Sequence, residues 1–380
     1  MVDDPNAQWW PKLVSMITTW VDQMAHAPNP IVEKMVLFWH GLYTSALNKT
    51  GNHPWLVDQL ALYRGNCFGP LDSLVQAMCV MPEMLDYLDN RENRAKSPNE
   101  NFGRELLELF VLGVGNYQEA DVIAAARAWT GHTIDRPTGR YVFDAATHDT
   151  GVKTFLGHTG NWDGPDIIRL TFEDPALRSI AVRYLCTKLW EFFAHPRPPA
   201  DAVTAMANAM MTSLDIKAAL RTMFNLDAFY APAARNRVRS PIEYAVATVR
   251  CLGVDAALVH PEWYLAAMGQ EPYNPPNVSG WRHDDYWLST ASTSAKAEFA
   301  YHCTWRLEEL SRHPFANSTT LTPAQTVQRA LDLFELDAPA PSTRQALVDW
   351  VIANRAAKQS WAEPTQLLVL LMLTPDVQLT

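Results

Sequence analysis

Charge is scarce in this chain. Lys and Arg total 31 and Asp and Glu 41 among 380 residues, so charged side chains make up only 19%, with a formal net charge of -10 at pH 7. With a pI near 5.5 and no basic run, the balance disfavours a nucleic-acid-binding surface. Cysteine is scarcer still. Cys67, Cys79, Cys186, Cys251 and Cys303 are odd in number and scattered, with no Cys-x-x-Cys pair. That excludes a disulfide framework and a cysteine zinc site, and it reads as buried thiols in a reducing compartment. Long hydrophobic runs are missing too: the longest, Leu367 to Leu373, is far too short to span a bilayer. The first ten residues, MVDDPNAQWW, lack the basic and apolar regions of a secretory signal. A soluble, cytoplasmic protein is the expectation for the chain as it stands, or an exported one if a leader has been removed. No Gly-x-Ser-x-Gly elbow, P-loop, dinucleotide glycine pattern or His-Glu-x-x-His occurs. The commonest hydrolase, nucleotide-binding and zinc-protease readings go with them.

What is present is apolar. Forty-eight per cent hydrophobic residues argue for a compact globule with a large core. Helical spacing dominates, beginning with Trp9, Trp10, Leu13, Met16, Ile17 and Trp20 in a helix over Asn6 to Ala25. Helices are expected over Ile31 to Leu47, Trp55 to Tyr63, Pro70 to Met81 and Pro82 to Leu88, and again from 163 to the C-terminus, one of them over 290–312. The exception is Arg140 to Leu156. Arg140–Phe143 and Val152–Leu156 alternate and are β-rich, which predicts a hairpin with His148 and Asp149 in its tip. The fold class is therefore mostly α, a large multi-helix domain over 1–380 with one small β-hairpin at about 140–156. Possible sub-lobes are 1–135 and 160–380, joined by the hairpin region 136–159.

The sharpest local grammar lies in SPNENFGRELLELFVLGVG, from Ser97. Ser97, Pro98 and Glu100 read as a capping box opening a helix that Gly113 closes. Leu106, Leu109, Phe110 and Leu112 make its apolar stripe, while Asn101, Arg104, Glu105 and Glu108 share the other face. Two readings of that polar strip stand. In one it is a solvated face with Glu100–Arg104 and Arg104–Glu108 pairs. In the other Arg104 fixes Glu105 and Glu108 as inward-facing bases or ligands.

Three further groups of residues bear on chemistry. Glu33 and His40 lie two turns apart on one face of a helix, so with Glu105 and Glu108 they form a candidate site for a divalent transition metal between helices. The competing reading makes His40 a core histidine bonded to a carbonyl or to Glu33. His148, Asp149 and Lys153 combine an imidazole, a carboxylate and an ammonium, as an acid–base arm would; the alternative is a turn in which Asp149 bonds its own backbone beside Gly151. Pro275 to Arg282, flanked by tryptophans, is a rigid non-helical segment, either a pocket roof or a packed structural loop.

Six blocks in order resemble one family. They are EKMVLFWHG (Glu33 to Gly41), the MLDYLDN…NENFGRELLELF…AARAWTG region, HDTGVKTFLG (His148 to Gly157), RVRSPIEYAVATVRCLG (Arg237 to Gly253), YNPPNVSGWRHDDYWLS (Tyr273 to Ser289) and LLMLTPDVQL. Together they are similar to the DUF1800 family of bacterial proteins. The resemblance implies a mostly helical fold and, through the frequent neighbour family DUF1501, a partner in an exported assembly. It carries over no catalytic role. One departure bears on the metal set: members resemble FWHxHF where this chain has FWHGLY, so Leu42 replaces a second histidine. Two function classes remain: an enzyme using the carboxylate, histidine and arginine groups in metal-assisted hydrolysis or oxidation, or a helical binding and assembly partner in which those groups are structural.

Overall fold

The computed structural model describes residues 9–231, 237–309, 320–358 and 363–379. Among them lie twenty-one α-helical segments and four short strands, so the fold is mostly α as expected. Residues 6–8 and 310–312 of the expected helices lie outside the described residues; the observed helices there are Trp9–His26 and Thr290–Glu309. No described helix is long and apolar enough to cross a membrane.

The chain forms two compact units whose limits differ from the sub-lobes expected at 135 and 160. One comprises Met1–Pro30, Arg235–Pro272 and Arg282–Thr380; the other comprises Ile31–Ala234 and Tyr273–Trp281. In the first, the helix Trp9–His26 buries Leu13, Ile17, Trp20, Val21 and Met24. It packs on the helices Pro241–Leu252, Ala256–Val259 and Pro261–Ala267, which come more than two hundred residues later. Such long-range pairing has no local signature, so the sequence could not reveal it. Ser240 opens Pro241–Leu252 with a capping box to Glu243, and Gly253 in the left-handed region closes it.

The second unit holds the candidate residues. The expected Ser97 helix packs on the helix Glu119–Ala128 and, towards its C-terminal end, on Pro175–Phe193. The Ser97 helix starts later than expected, at Asn101, and Ser97 is paired with Arg94 in an isolated bridge instead of acting as a cap. The reason is a competing set of asparagine bonds. Asn93 Oδ1 accepts from the Asn99 amide, and Asn99 Oδ1 accepts from the Asn101 amide, both at 2.9 Å, which holds 98–100 outside the helix. After Asn101–Glu105 the helix widens into a π turn over Leu106–Val111. The Leu109 carbonyl accepts the Tyr184 hydroxyl at 2.6 Å. Gly113, at φ +82, ends the run as expected.

The single predicted hairpin is replaced by two. Strand β1 (His132–Asp135) pairs antiparallel with β2 (Arg140–Phe143), and β3 (Lys153–Phe155) pairs with β4 (His158–Gly160). Arg140–Phe143 thus turns back on the segment before it. The Asp135–Gly139 turn drives this: the Gly139 amide bonds the Asp135 carbonyl at 2.8 Å, and Thr138 bonds the Asp135 carboxylate. Thr-Gly between two β-rich runs was the overlooked signal. The second turn, Leu156–Gly157, has φ of +48 and +87. His148 and Asp149 consequently lie in the connection between the hairpins and not at a hairpin tip.

Candidate acid–base site

The site is built from the end of the helix Glu119–Ala128. Two buried asparagines dock its last turn and the residues that follow. Asn93 Nδ2 donates to the Ala126 carbonyl at 2.8 Å, and Asn90 Nδ2 donates to the carbonyls of Trp129 and His132 at 3.2 and 2.8 Å. Gly131 then adopts φ +79, and a Cβ there would stand 2.6 Å from the Asp144 carbonyl oxygen and 3.1 Å from His148 Cβ. Only glycine lets the 144–148 segment approach this closely. Across that contact, His148 Nδ1 lies 2.8 Å from the Thr130 carbonyl oxygen. A carbonyl only accepts, so in the neutral ring the proton sits on Nδ1 and the lone pair is left on Nε2.

The loop that carries His148 is clamped from three sides. Arg127 grips the Asp149 carboxylate through Nε at 2.7 Å and Nη2 at 3.2 Å. That contact, ahead of every other influence, holds the Asp149 carboxyl below its ordinary range. Asp149 Oδ1 also accepts from the Gly151 amide at 2.7 Å, and the Asp149 amide donates to Thr130 Oγ1 at 2.8 Å. From inside, Lys153 is 1% exposed and donates Nζ to the carbonyls of Asp149 and Gly151 at 2.5 and 3.0 Å. Burial pulls its ammonium below the usual lysine value. A cation removed from water is costly, and here it is spent on the shape of one loop. Asp149 and Lys153 therefore hold the backbone around His148.

Sequence reasoning missed His132, Tyr141 and Asp163. His132 is buried on β1, with its ring centroid 6.3 Å from that of His148, and its Nδ1 lies 2.9 Å from the Tyr141 hydroxyl. Burial, helped by His148, lowers its pKa to about 4, so it is neutral at pH 7. Its Nε2 is buried without a hydrogen-bond partner. Asp163 caps the helix Gly164–Glu173, and its charge also acts on Tyr141. The pairing of β1 with β2 brings His132 and Tyr141 together, so for these two the hairpin register was the missing information.

The acidic strip divides. Arg104 pairs with Glu100 at 3.1 Å and, through Nη1, with Glu119 at 3.0 Å, at the surface. Glu105 is half-buried; burial and then the Glu108 charge push its carboxyl upward, with Arg104 opposing. Glu108 accepts the Tyr117 hydroxyl at 2.6 Å. Glu33 is elsewhere engaged: it accepts two bonds from Arg64, at 2.6 and 2.9 Å. His40 is fully buried, which lowers its pKa to about 3, and its ring meets the edge of Trp281 at 5.2 Å. Trp281 is held there because Gly280, at φ +80, lies against the Gly41 carbonyl, where a Cβ would come within 2.2 Å. Pro275–Arg282 is thus a structural strap at this end. Among the described residues no three His, Cys, Asp or Glu side chains gather as a metal requires, so Glu33, His40, Glu105 and Glu108 do not fit a shared ion.

The DUF1800 family model, described as a protein of unknown function, matches residues 5–379. The chain belongs to the DUF1800 family. No curated protein and no solved structure matches it. In this DUF1800 chain, then, His148 is half-buried, bonded through Nδ1 to a carbonyl, and carried on a loop that a buried lysine and a bidentate arginine hold.

Proposed function

We propose that this DUF1800 chain is an enzyme in which His148 moves a proton, acting through Nε2 as a general base in a hydrolytic reaction. The observation that carries this reading is the Nδ1 contact with the Thr130 carbonyl at 2.8 Å, which orients the ring as a base is oriented by its partner. Neutral His132 lies beside it, the two ring centroids 6.3 Å apart. Asp149 and Lys153 are positioning residues, and Glu105 with Glu108 is a separate acidic pair. No step is routed through a metal: Glu33 is held by Arg64 and Glu108 accepts the Tyr117 hydroxyl.

The test is a comparison of wild type with His148→Gln on metabolite extracts, read by mass spectrometry. At least one compound should be consumed by wild type and spared by the variant, with the rate lowered about a hundredfold or more. Identical profiles, with both proteins melting alike, would reject the proposal.

A second reading is favoured by a different observation. Glu33, Arg104 and Asp149 are all committed to ion pairs inside the chain. That is how a helical binding partner, for example of a DUF1501-type protein, would use them. Co-expression with such a protein should then yield a stoichiometric complex that survives gel filtration. Elution as separate species would count against this reading.

A further inference from the structure

The first unit contains a pocket of about 620 Å³ between the helices Pro261–Ala267, Thr290–Glu309 and Glu363–Met372. Helical spacing on Thr290–Glu309 puts Glu298, Tyr301, His302 and Trp305 on one side of it, with Tyr264 and Val369 opposite. Two of these rings are unusually open for their size: Tyr301 is 55% and Trp305 42% exposed. We propose that this pocket binds a small organic cation of the quaternary-ammonium class, with Tyr264, Tyr301 and Trp305 as its aromatic walls and Glu298 as its counter-ion.

Three observations support that choice. Aromatic faces carry negative potential, so rings around a cavity attract a poorly hydrated cation. Trp305 already engages one such group, with the Arg306 guanidinium carbon 5.1 Å from its ring centroid, and Arg306 itself is offset by Glu309. Glu298 is the one formally charged side chain among the described lining residues, and it is negative. The imidazole in the wall does not oppose this. His302 bonds the Tyr264 hydroxyl at 3.2 Å, and burial, followed by Arg306 and His260, keeps it below the ordinary histidine value. It presents a neutral ring to the ligand. Nothing here depends on His148, which belongs to the other unit.

Calorimetric titration with choline and with its uncharged carbon isostere, 3,3-dimethylbutan-1-ol, separates charge from shape. Choline should bind, and the isostere should bind about tenfold more weakly. Trp305→Ala and Glu298→Gln should each weaken choline about fivefold or more while the melting temperature stays near wild type, since both side chains are exposed. Equal binding of the two probes, no choline binding at millimolar concentration, or variants that bind like wild type would each overturn the proposal.

Discussion

Replacing Arg64 with alanine should destabilise the protein by about 3 kcal/mol, the lower part of the range for breaking a buried ion pair. Glu33 is the buried partner, its side chain 4% exposed against 32% for Arg64, so the loss falls on a carboxylate that cannot reach water. The two bonds at 2.6 and 2.9 Å are bidentate, a geometry that lysine cannot reproduce. Arg64→Lys should therefore recover only part of the loss. Chemical denaturation at pH 7 measures both. A change within about 0.5 kcal/mol for Arg64→Ala would mean that the pair behaves as a wet surface contact.

The second large effect concerns Glu83, a fully buried residue on the helix Pro82–Tyr87 that sequence reading passed over. Thr50 donates to its Oε1 at 3.0 Å, while Oε2 is buried without a partner. Burial raises its pKa from 4.5 to about 8, against the pull of Thr50 and Ser45, so the folded protein keeps it protonated at neutral pH. An unfolded chain releases that proton above 4.5. The folded state then binds more protons than the unfolded one between 4.5 and about 8. Stability from this group is full below the lower value and declines by about 1.4 kcal/mol per pH unit until the upper one is passed. Glu83→Gln keeps the shape and removes the titration. Its stability relative to wild type should rise steadily across that window, by a few kcal/mol on the order expected for a buried carboxyl. Parallel pH–stability curves for the two proteins would refute the assignment.

Legibility in the sequence followed the range of the interaction. Gly113 as a helix stop was readable because a positive φ is a property of one residue. The Arg104–Glu100 pair was readable because four residues is one helical turn. Arg104–Glu119 was not, since it joins two elements. Ser97 misled because a serine–glutamate spacing is only an offer of a cap, and Asn93 and Asn99 made better bonds to the same stretch. The strands were half legible: Arg140–Phe143 was recognised as β, but its partner depended on the Asp135–Gly139 turn, which pairs it with the segment before it. His132 therefore never entered the candidate set, although it adjoins His148. Glu33 and His40 do share a helix, yet their partners, Arg64 and Trp281, come from the helix His53–Asn66 and from the distant strap.

That strap governs how the molecule can be divided. Tyr273–Trp281 closes over the end of Pro30–Leu42 and is tied to the next helix, Leu47–Thr50, by the Asn48 amide to Asn274 Oδ1 at 2.9 Å, across a sequence separation of 226. During synthesis the end of that early helix waits for a segment made much later. An excised 31–234 piece, contiguous and tempting to a cloner, would be born with His40 stripped of its tryptophan cover.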